Sequence, residues 1–187
     1  MKAFRYAIAL LLVTPLLSAT TPKDDKKKEA SDAIEWISFE EALERSKEEP
    51  RKILVDFYTD WCGWCKRMDA AVYGNEEIAS YINEKYYAVK FNAEKDKEDI
   101  VFHGNTFSFV PPPEGGRNGI HELAYILMNK RASYPTTTFL DENLKMIQAI
   151  PGYQKPPFFD MILKYLGENE YKTTNWEEFS SSYESSL

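Results

Sequence analysis

The chain has 187 residues, 14% of them aromatic, and its formal net charge at pH 7 is −7. This negative balance argues against nucleic acid or an anionic membrane surface as a partner. The sequence shows no internal repeat and no glycine-rich loop of the kind that binds phosphate. From about Ile34 to Leu187 the chain is long enough for one domain with a sizeable core.

Residues 1–19 have the pattern of a secretory signal peptide. Lys2 and Arg5 precede an apolar run, which is followed by the small residues Ser18 and Ala19. The run is shorter than the roughly 20 residues that span a bilayer, so no membrane span is expected after signal cleavage. An uncleaved N-terminal anchor is the alternative. The pattern predicts a periplasmic or secreted protein in an oxidising space.

The rest of the chain divides into three predicted parts. Residues 20–33 are rich in Asp and Lys and poor in apolar side chains, so they are predicted to form a flexible charged tether. Residues 34–167 are predicted to form the folded domain, and residues 168–187 an additional C-terminal tail.

Apolar periodicity in the domain predicts alternating helices and strands. Ser38 begins a capping box, Asn75 is a favourable N-cap, and Gly167 is expected to end the last helix. The predicted elements are a helix from Phe39 that ends before Pro50, a strand at Ile53–Tyr58, a helix from about Cys62 to Tyr73, a short helix after Asn75, a strand at Tyr86–Phe91, a hairpin of Thr136–Leu140 with Leu144–Ile150, and a helix from Pro156 to Leu166. Together they predict an α/β fold with a central mixed β-sheet and helices on both faces.

Cys62 and Cys65 are the only cysteines, and two residues separate them. If Cys62 begins a helix, Cys65 follows about one turn later, and the unsatisfied N–H groups of the helix start favour a thiolate. The spacing therefore predicts a reversible dithiol/disulfide couple that needs no cofactor. The alternative is an inert disulfide, although so short a loop makes a poor structural cross-link.

Metal and haem chemistry are not favoured by the sequence. A zinc site needs about four ligands, and beyond the two cysteines the chain offers only His103 and His121, far along the sequence. Covalent haem requires a histidine directly after Cys65, where Lys66 stands instead. No metal and no cofactor are expected.

Asp56 is unusual because it lies within an apolar run predicted to be a buried strand. Burial raises the pKa of a carboxyl group. A carboxyl group near neutrality can exchange protons with the thiol that resolves a mixed disulfide, which predicts a proton-relay role for Asp56. The alternative is that Asp56 only caps the strand or pairs with Lys90 at a hydrated strand end.

The run Val55–Lys66 resembles the active-site segment of the thioredoxin superfamily, with a strand that holds an acid, then a tryptophan, a dithiol and a lysine. Val89–Asn92, Tyr134–Thr137 and Pro151–Tyr153 extend the resemblance in family order. The chain looks most like secreted bacterial thioredoxin-like proteins with a Cys-Gly-Trp-Cys motif. The resemblance implies a thioredoxin-like fold for the domain.

The resemblance also implies roles for individual residues. Cys62 is the expected nucleophile with the accessible sulfur, Cys65 resolves the mixed disulfide, and Lys90 lies near the buried acid. Pro135 is expected to follow a cis bond, with an ordinary trans bond as the alternative. At least one tryptophan is expected on a docking face, although Trp61 could be mainly core. The expected substrate contacts are Trp61, Gly63, Trp64, Tyr134 and Pro135, the last two through main-chain hydrogen bonds.

Three features depart from a minimal thioredoxin. Trp64 replaces the usual proline, so the redox poise does not carry over. Residues 96–130 form an insert before the cis-proline strand, which is expected to contain a helix and to act as a lid or partner surface, or simply to pack over the sheet. In this insert His121 is expected to be a surface or hydrogen-bonding residue. In the tail, Trp176 and Phe179 are expected to make one docking turn, and Ser180–Ser186 to be loose.

These features predict a thiol–disulfide oxidoreductase that acts on disulfides of exported proteins. The resemblance implies that it reduces or isomerises them and that a membrane electron donor recharges it. The alternative is a client-binding or redox-sensing module on the same fold, with the insert as its partner surface.

Overall fold

The computed structural model describes Met1 and residues 33–187. Apart from Met1 and Ala33, the predicted signal peptide and the predicted tether lie outside the described residues. Within them the strands are β1 (Trp36–Ile37), β2 (Lys52–Tyr58), β3 (Tyr86–Asn92), β4 (Ile100–Phe102), β5 (Asn105–Phe107), β6 (Phe109–Val110), β7 (Ile120–His121), β8 (Thr136–Leu140) and β9 (Met146–Pro151).

Five of these strands form the central sheet, in the order β1-β3-β2-β8-β9. β3 runs parallel to both β1 and β2, whereas β8 runs antiparallel to both β2 and β9. The sheet is therefore mixed, as predicted. The two-residue strand β1 had no counterpart among the predicted elements.

The helices are α1 (Phe39–Glu48), α2 (Gly63–Met68), α3 (Glu76–Lys85), α4 (Glu122–Leu127), α5 (Pro156–Gly167) and α6 (Trp176–Ser182), and a π-helical turn (Asp69–Tyr73) continues α2. Ser38 and Asn75 cap α1 and α3 as predicted, because their side-chain oxygens accept from Glu41 N at 3.1 Å and Ile78 N at 3.0 Å. None of the helices in the described ranges is long and apolar enough to cross a bilayer.

The alternation of side chains along β2 divides the core into two layers. Ile53, Val55 and Phe57 pack with α1 and α4, whereas Leu54 packs with α2, α3 and α5. Helices therefore cover both faces of the sheet, as predicted. Asp56 shares the face of Leu54 and so points towards α2 and the π-helical turn.

Two predicted boundaries are wrong. Gly167 is the last residue of α5 rather than its stop, and Asn169 adopts the left-handed conformation, with φ 66°. Packing explains why residue 167 is a glycine, because a Cβ there would lie 2.6 Å from the Tyr81 hydroxyl. β9 begins at Met146 rather than Leu144, because the Asp141 side chain accepts from Lys145 N and lengthens the turn.

The insert builds two small antiparallel ribbons, β4 with β5 and β6 with β7, followed by α4. The helix predicted within the insert is present as α4. His121 is fully buried and caps α4, since its Nδ1 accepts from Leu123 N at 3.2 Å and its Nε2 lies 3.0 Å from Glu98 O. The hydrogen-bonding alternative for His121 is therefore confirmed, and the surface alternative is wrong.

The tail packs against α5. The rings of Trp176 and Phe179 lie 5.1 and 4.9 Å from the ring of Tyr165, as the predicted docking turn requires. The expectation of a loose segment at Ser180–Ser186 is wrong. Part of it is helical, and the hydroxyls of Tyr183 and Ser185 donate to Asp160 at 2.6 and 2.7 Å.

Candidate active site

Cys62 and Cys65 lie at the start of α2 and are joined by a disulfide, with their Cα atoms 5.3 Å apart. Cys62 is the N-cap, and the backbone N–H of Cys65 donates to the Cys62 Sγ at 3.0 Å. In the reduced protein the same N–H would stabilise a Cys62 thiolate, because a hydrogen bond to the charged form of an acid lowers its pKa. The local geometry favours Cys62 as the nucleophile.

Both cysteines are largely covered in this disulfide form. Cys62 is 4% exposed and Cys65 2%, so Cys62 is only slightly more open than its partner. The two tryptophans carry the exposed surface, Trp61 at 64% and Trp64 at 56%. The alternative in which Trp61 is mainly core is wrong, and a docking face formed by both indoles is favoured.

Aromatic side chains extend this exposed face in two directions. On one side the Trp61 ring meets the Tyr134 ring edge-on at 5.9 Å, and its Nε1 donates to Glu94 at 2.8 Å. On the other side the Trp64 ring lies 5.6 Å from that of Tyr153, and the Arg67 guanidinium lies over both. The disulfide therefore lies between two aromatic pairs.

The Tyr134–Pro135 peptide bond is cis, as the resemblance implied. The Pro135 carbonyl accepts from Gly152 N at 2.7 Å, and proline has no N–H. Tyr134 and Pro135 are the two residues proposed to pair with an added strand. Tyr134 therefore has more backbone hydrogen-bonding groups available for this pairing than Pro135 has. Gly63 is the first residue of α2, and no atom lies within 4 Å of the position that a Cβ would take there.

Asp56 lies in a buried network of hydrogen bonds and ion pairs. It is 1% exposed, and its Oδ2 lies 2.7 Å from the Lys90 Nζ. Lys90 also pairs with Asp69, which is partly exposed. Burial raises the pKa of Asp56, and Lys90 offsets only part of that effect. Pairing with Lys90 is present, but at a buried mid-strand position rather than a hydrated strand end.

Tyr73 completes the network and was not predicted as a site residue. Its hydroxyl lies 3.3 Å from Asp56 Oδ1 and 3.0 Å from Thr137 Oγ1. Burial, followed by the charge of Asp56, raises the pKa of Tyr73 well above its usual value, so the hydroxyl stays protonated. The sequence offers no signal that separates Tyr73 from an ordinary core aromatic. Asp69 and Glu94 were not predicted as site residues either, because acidic side chains are common on exposed helices and loops.

Within residues 33–187 no cluster of three or more His, Cys, Asp or Glu side chains could hold a metal ion. The two histidines are occupied elsewhere, since His121 caps α4 and His103 Nε2 lies 3.0 Å from Leu144 O.

Fold and site together define a thioredoxin fold with a Cys-X-X-Cys pair at a helix start. A family model described as a thioredoxin-like domain matches residues 39–167, and the chain belongs to this family.

Individual proteins are similar to it over different lengths. Thioredoxin Y, chloroplastic, of Oryza sativa subsp. japonica is 41% identical over 60 residues, which are 32% of this chain and 32% of the rice protein. The chain spans between 11% and 61% of the lengths of four curated relatives that it matches.

Solved structures share the fold over most of the chain. One described as DsbH oxidoreductase has a TM-score of 0.53 at 20% identity and covers 83% of this chain and 95% of its own. A putative disulphide-isomerase from Bacteroides thetaiotaomicron has a TM-score of 0.51 at 23% identity, with coverages of 78% and 98%. At these identities the likeness concerns the fold.

Proposed function

We propose that this protein is a thiol–disulfide oxidoreductase that reduces or isomerises disulfides of exported proteins. The observation that carries the proposal is the Cys62–Cys65 disulfide at the start of α2, with the Cys65 N–H on the Cys62 sulfur. The names of two structural neighbours, an oxidoreductase and a putative disulphide-isomerase, support the same class of reaction.

The reaction begins with the reduced dithiol. The Cys62 thiolate attacks one sulfur of a client disulfide, the client S–S bond breaks, and the leaving client thiolate takes up a proton. Cys65 then loses its proton and attacks the Cys62 sulfur, which releases the second client thiolate and forms the Cys62–Cys65 disulfide. Two electrons pass to the client, and an external dithiol donor restores the pair.

Asp56 is the group proposed to take the Cys65 proton. It lies on the face of β2 that packs against α2, its pKa is raised, and Tyr73 and Lys90 hold its two oxygens. A carboxyl group whose pKa approaches the working pH is an efficient proton acceptor. Lys90 and Tyr73 are positioning residues, because they hold the carboxyl group and do not touch the sulfurs in this role.

The exported location rests on the signal-peptide pattern of residues 1–19, and so do exported clients and a membrane electron donor. The dithiol chemistry supports this proposal, because client disulfides are abundant in oxidising compartments and rare in reducing ones. A reducing enzyme in such a space needs electrons from outside it, which is the reason for proposing the donor.

Insulin reduction by dithiothreitol tests the reaction, with two serine variants that differ only in which sulfur is lost. We expect the native chain to accelerate reduction and both variants to lose turnover. Cys65→Ser should accumulate a mixed disulfide with the client, whereas Cys62→Ser should not. Turnover retained by Cys62→Ser would overturn the proposed role of Cys62, and client capture without turnover by the native chain would favour the binding module.

The same trapping experiment tests the clients. In cells that produce the full-length chain with Cys65→Ala, mixed disulfides should form mainly with exported proteins. Attachment mainly to proteins that are never exported would contradict the proposed location while leaving the dithiol chemistry intact.

A further inference from the structure

A groove of about 400 Å³ lies beside the active site, between the cis-proline segment and the insert. Trp61 and Tyr134 form its wall nearest the cysteines. Gly119, Ile120 and Tyr125 of the insert line the groove as well. The groove is therefore continuous with the surface on which a client disulfide must dock, and about half of its lining comes from the insert.

The insert is fixed in place rather than loosely attached. His121 N donates to Ala93 O at 2.8 Å, next to the end of β3, and the buried His121 ring caps α4. Glu122 joins α4 to the neighbouring ribbon twice, because its N–H donates to Ser108 O and its carboxylate accepts from Ser108 N, both at 3.0 Å. The groove is thus a preformed feature, which lowers the entropic cost of filling it.

The lining of the groove indicates what it would accept. Trp61 and Tyr125 are 64% and 41% exposed, which is unusual for side chains of their size, and Tyr134 adds a third ring. Glu94 is the only charged residue in the lining, and its carboxylate accepts from Trp61 Nε1 at 2.8 Å. Aromatic walls with one carboxylate favour a bulky apolar or aromatic side chain accompanied by a positive charge.

On the basis of the proposed function, we propose that this groove selects clients. It binds an extended client segment that places an aromatic side chain among Trp61, Tyr125 and Tyr134, within a few residues of the client cysteine. A lysine or arginine of the same segment pairs with Glu94. The insert is then a specificity element, and disulfides flanked by aromatic and basic residues react faster than others.

The test compares two alanine variants on the same helix. Tyr125 lines the groove and Ile126 does not, yet both side chains are 41% exposed. The substrates are disulfide-linked peptides with Trp and Arg, Trp and Gln, or only Gly and Ser beside the cysteine. For the native chain, kcat/KM should be about 5-fold higher for the Trp–Arg peptide than for the Gly–Ser peptide, the size expected of one aromatic contact.

In Tyr125→Ala this preference should fall to below 2-fold through a higher KM, whereas Ile126→Ala should keep it. Glu94→Gln should remove the difference between the Arg and Gln peptides. Equal kcat/KM for all peptides with the native chain, or equal losses in both alanine variants, would overturn the groove proposal and leave the proposed reaction standing. Failure of the native chain to reduce any of the peptides would overturn both.

Discussion

At the scale of single residues, the candidate site contains a carboxyl group that the protein keeps out of water. Asp56 is 1% exposed, and its cationic partner Lys90 is shared with Asp69. A lysine divided between two carboxylates cannot fully compensate the cost of burying one of them. The direction of the pKa shift of Asp56, upward despite an ion pair, follows from this arrangement.

Asp56→Asn should slow release of the client from the Cys62 mixed disulfide at pH 7, because the Cys65 thiol loses its proposed proton acceptor. The expected loss is on the order of 100-fold, typical of one proton-transfer group. At high pH hydroxide removes the thiol proton without help from a carboxylate, so the two rates should converge. Single-turnover release measured from pH 6 to 10 checks this, and equal rates at pH 7 would end the proton-relay role.

A stability measurement on the same oxidised variant is the control. A carboxyl group with a raised folded-state pKa binds its proton more tightly when folded, so the free energy of unfolding falls as pH rises from 3.8 through the folded pKa. The Asp56→Asn variant has no carboxyl group at this position, so its free energy of unfolding should not show this fall. Urea unfolding should therefore show Asp56→Asn gaining stability relative to the native chain as the pH rises from 4 to 8. A pH-independent difference would mean that Asp56 does not hold a high pKa.

At the scale of elements, α1, α3 and the insert show why some elements were predictable from sequence and others were not. The capped starts of α1 and α3 depend on residues within one turn, so sequence patterns identify them. β6 and β7 are two residues each. The absence of a side chain at Gly119 permits their close packing, because a Cβ there would lie 2.5 Å from the Phe109 ring. So close an approach between distant residues leaves no periodic signal.

Gly119→Ala should therefore distort the ribbon of β6 and β7. Inserting a methyl group into tight packing costs about 1–3 kcal/mol, which should lower Tm by several degrees in a chain of this size. Gly63→Ala is the matched control, because its new Cβ meets nothing within 4 Å. Thermal unfolding of the two oxidised variants checks the difference, and an unchanged Tm in Gly119→Ala would show that the ribbon yields without cost.

At the scale of the whole molecule, sequence predicted the mixed sheet, the helix that begins at the dithiol and the buried acid on β2. The cis bond at Pro135 came from resemblance alone, since few X–Pro bonds are cis. The partners of Asp56 could not be predicted, because Tyr73 reaches it only through the way the π-helical turn packs on β2. The prediction of a loose tail was wrong for the same reason. Its serine-rich segment is ordered by hydrogen bonds to an acidic residue that is distant in the sequence.

That acid, Asp160 on α5, is 6% exposed and accepts hydrogen bonds from Tyr183 and Ser185 of the tail. Replacing both donors, in Tyr183→Phe with Ser185→Ala, leaves a buried carboxylate without them. The free energy of unfolding should fall by about 1–3 kcal/mol. The ring contact of Tyr183 with Phe179 is kept, so the fall in the free energy of unfolding measures the lost hydrogen bonds.

Ser181→Ala is the control, because this exposed hydroxyl donates only to Glu178 O in its own helix. Urea unfolding measures all three proteins, and a double variant as stable as the control would show that the tail is not held through Asp160.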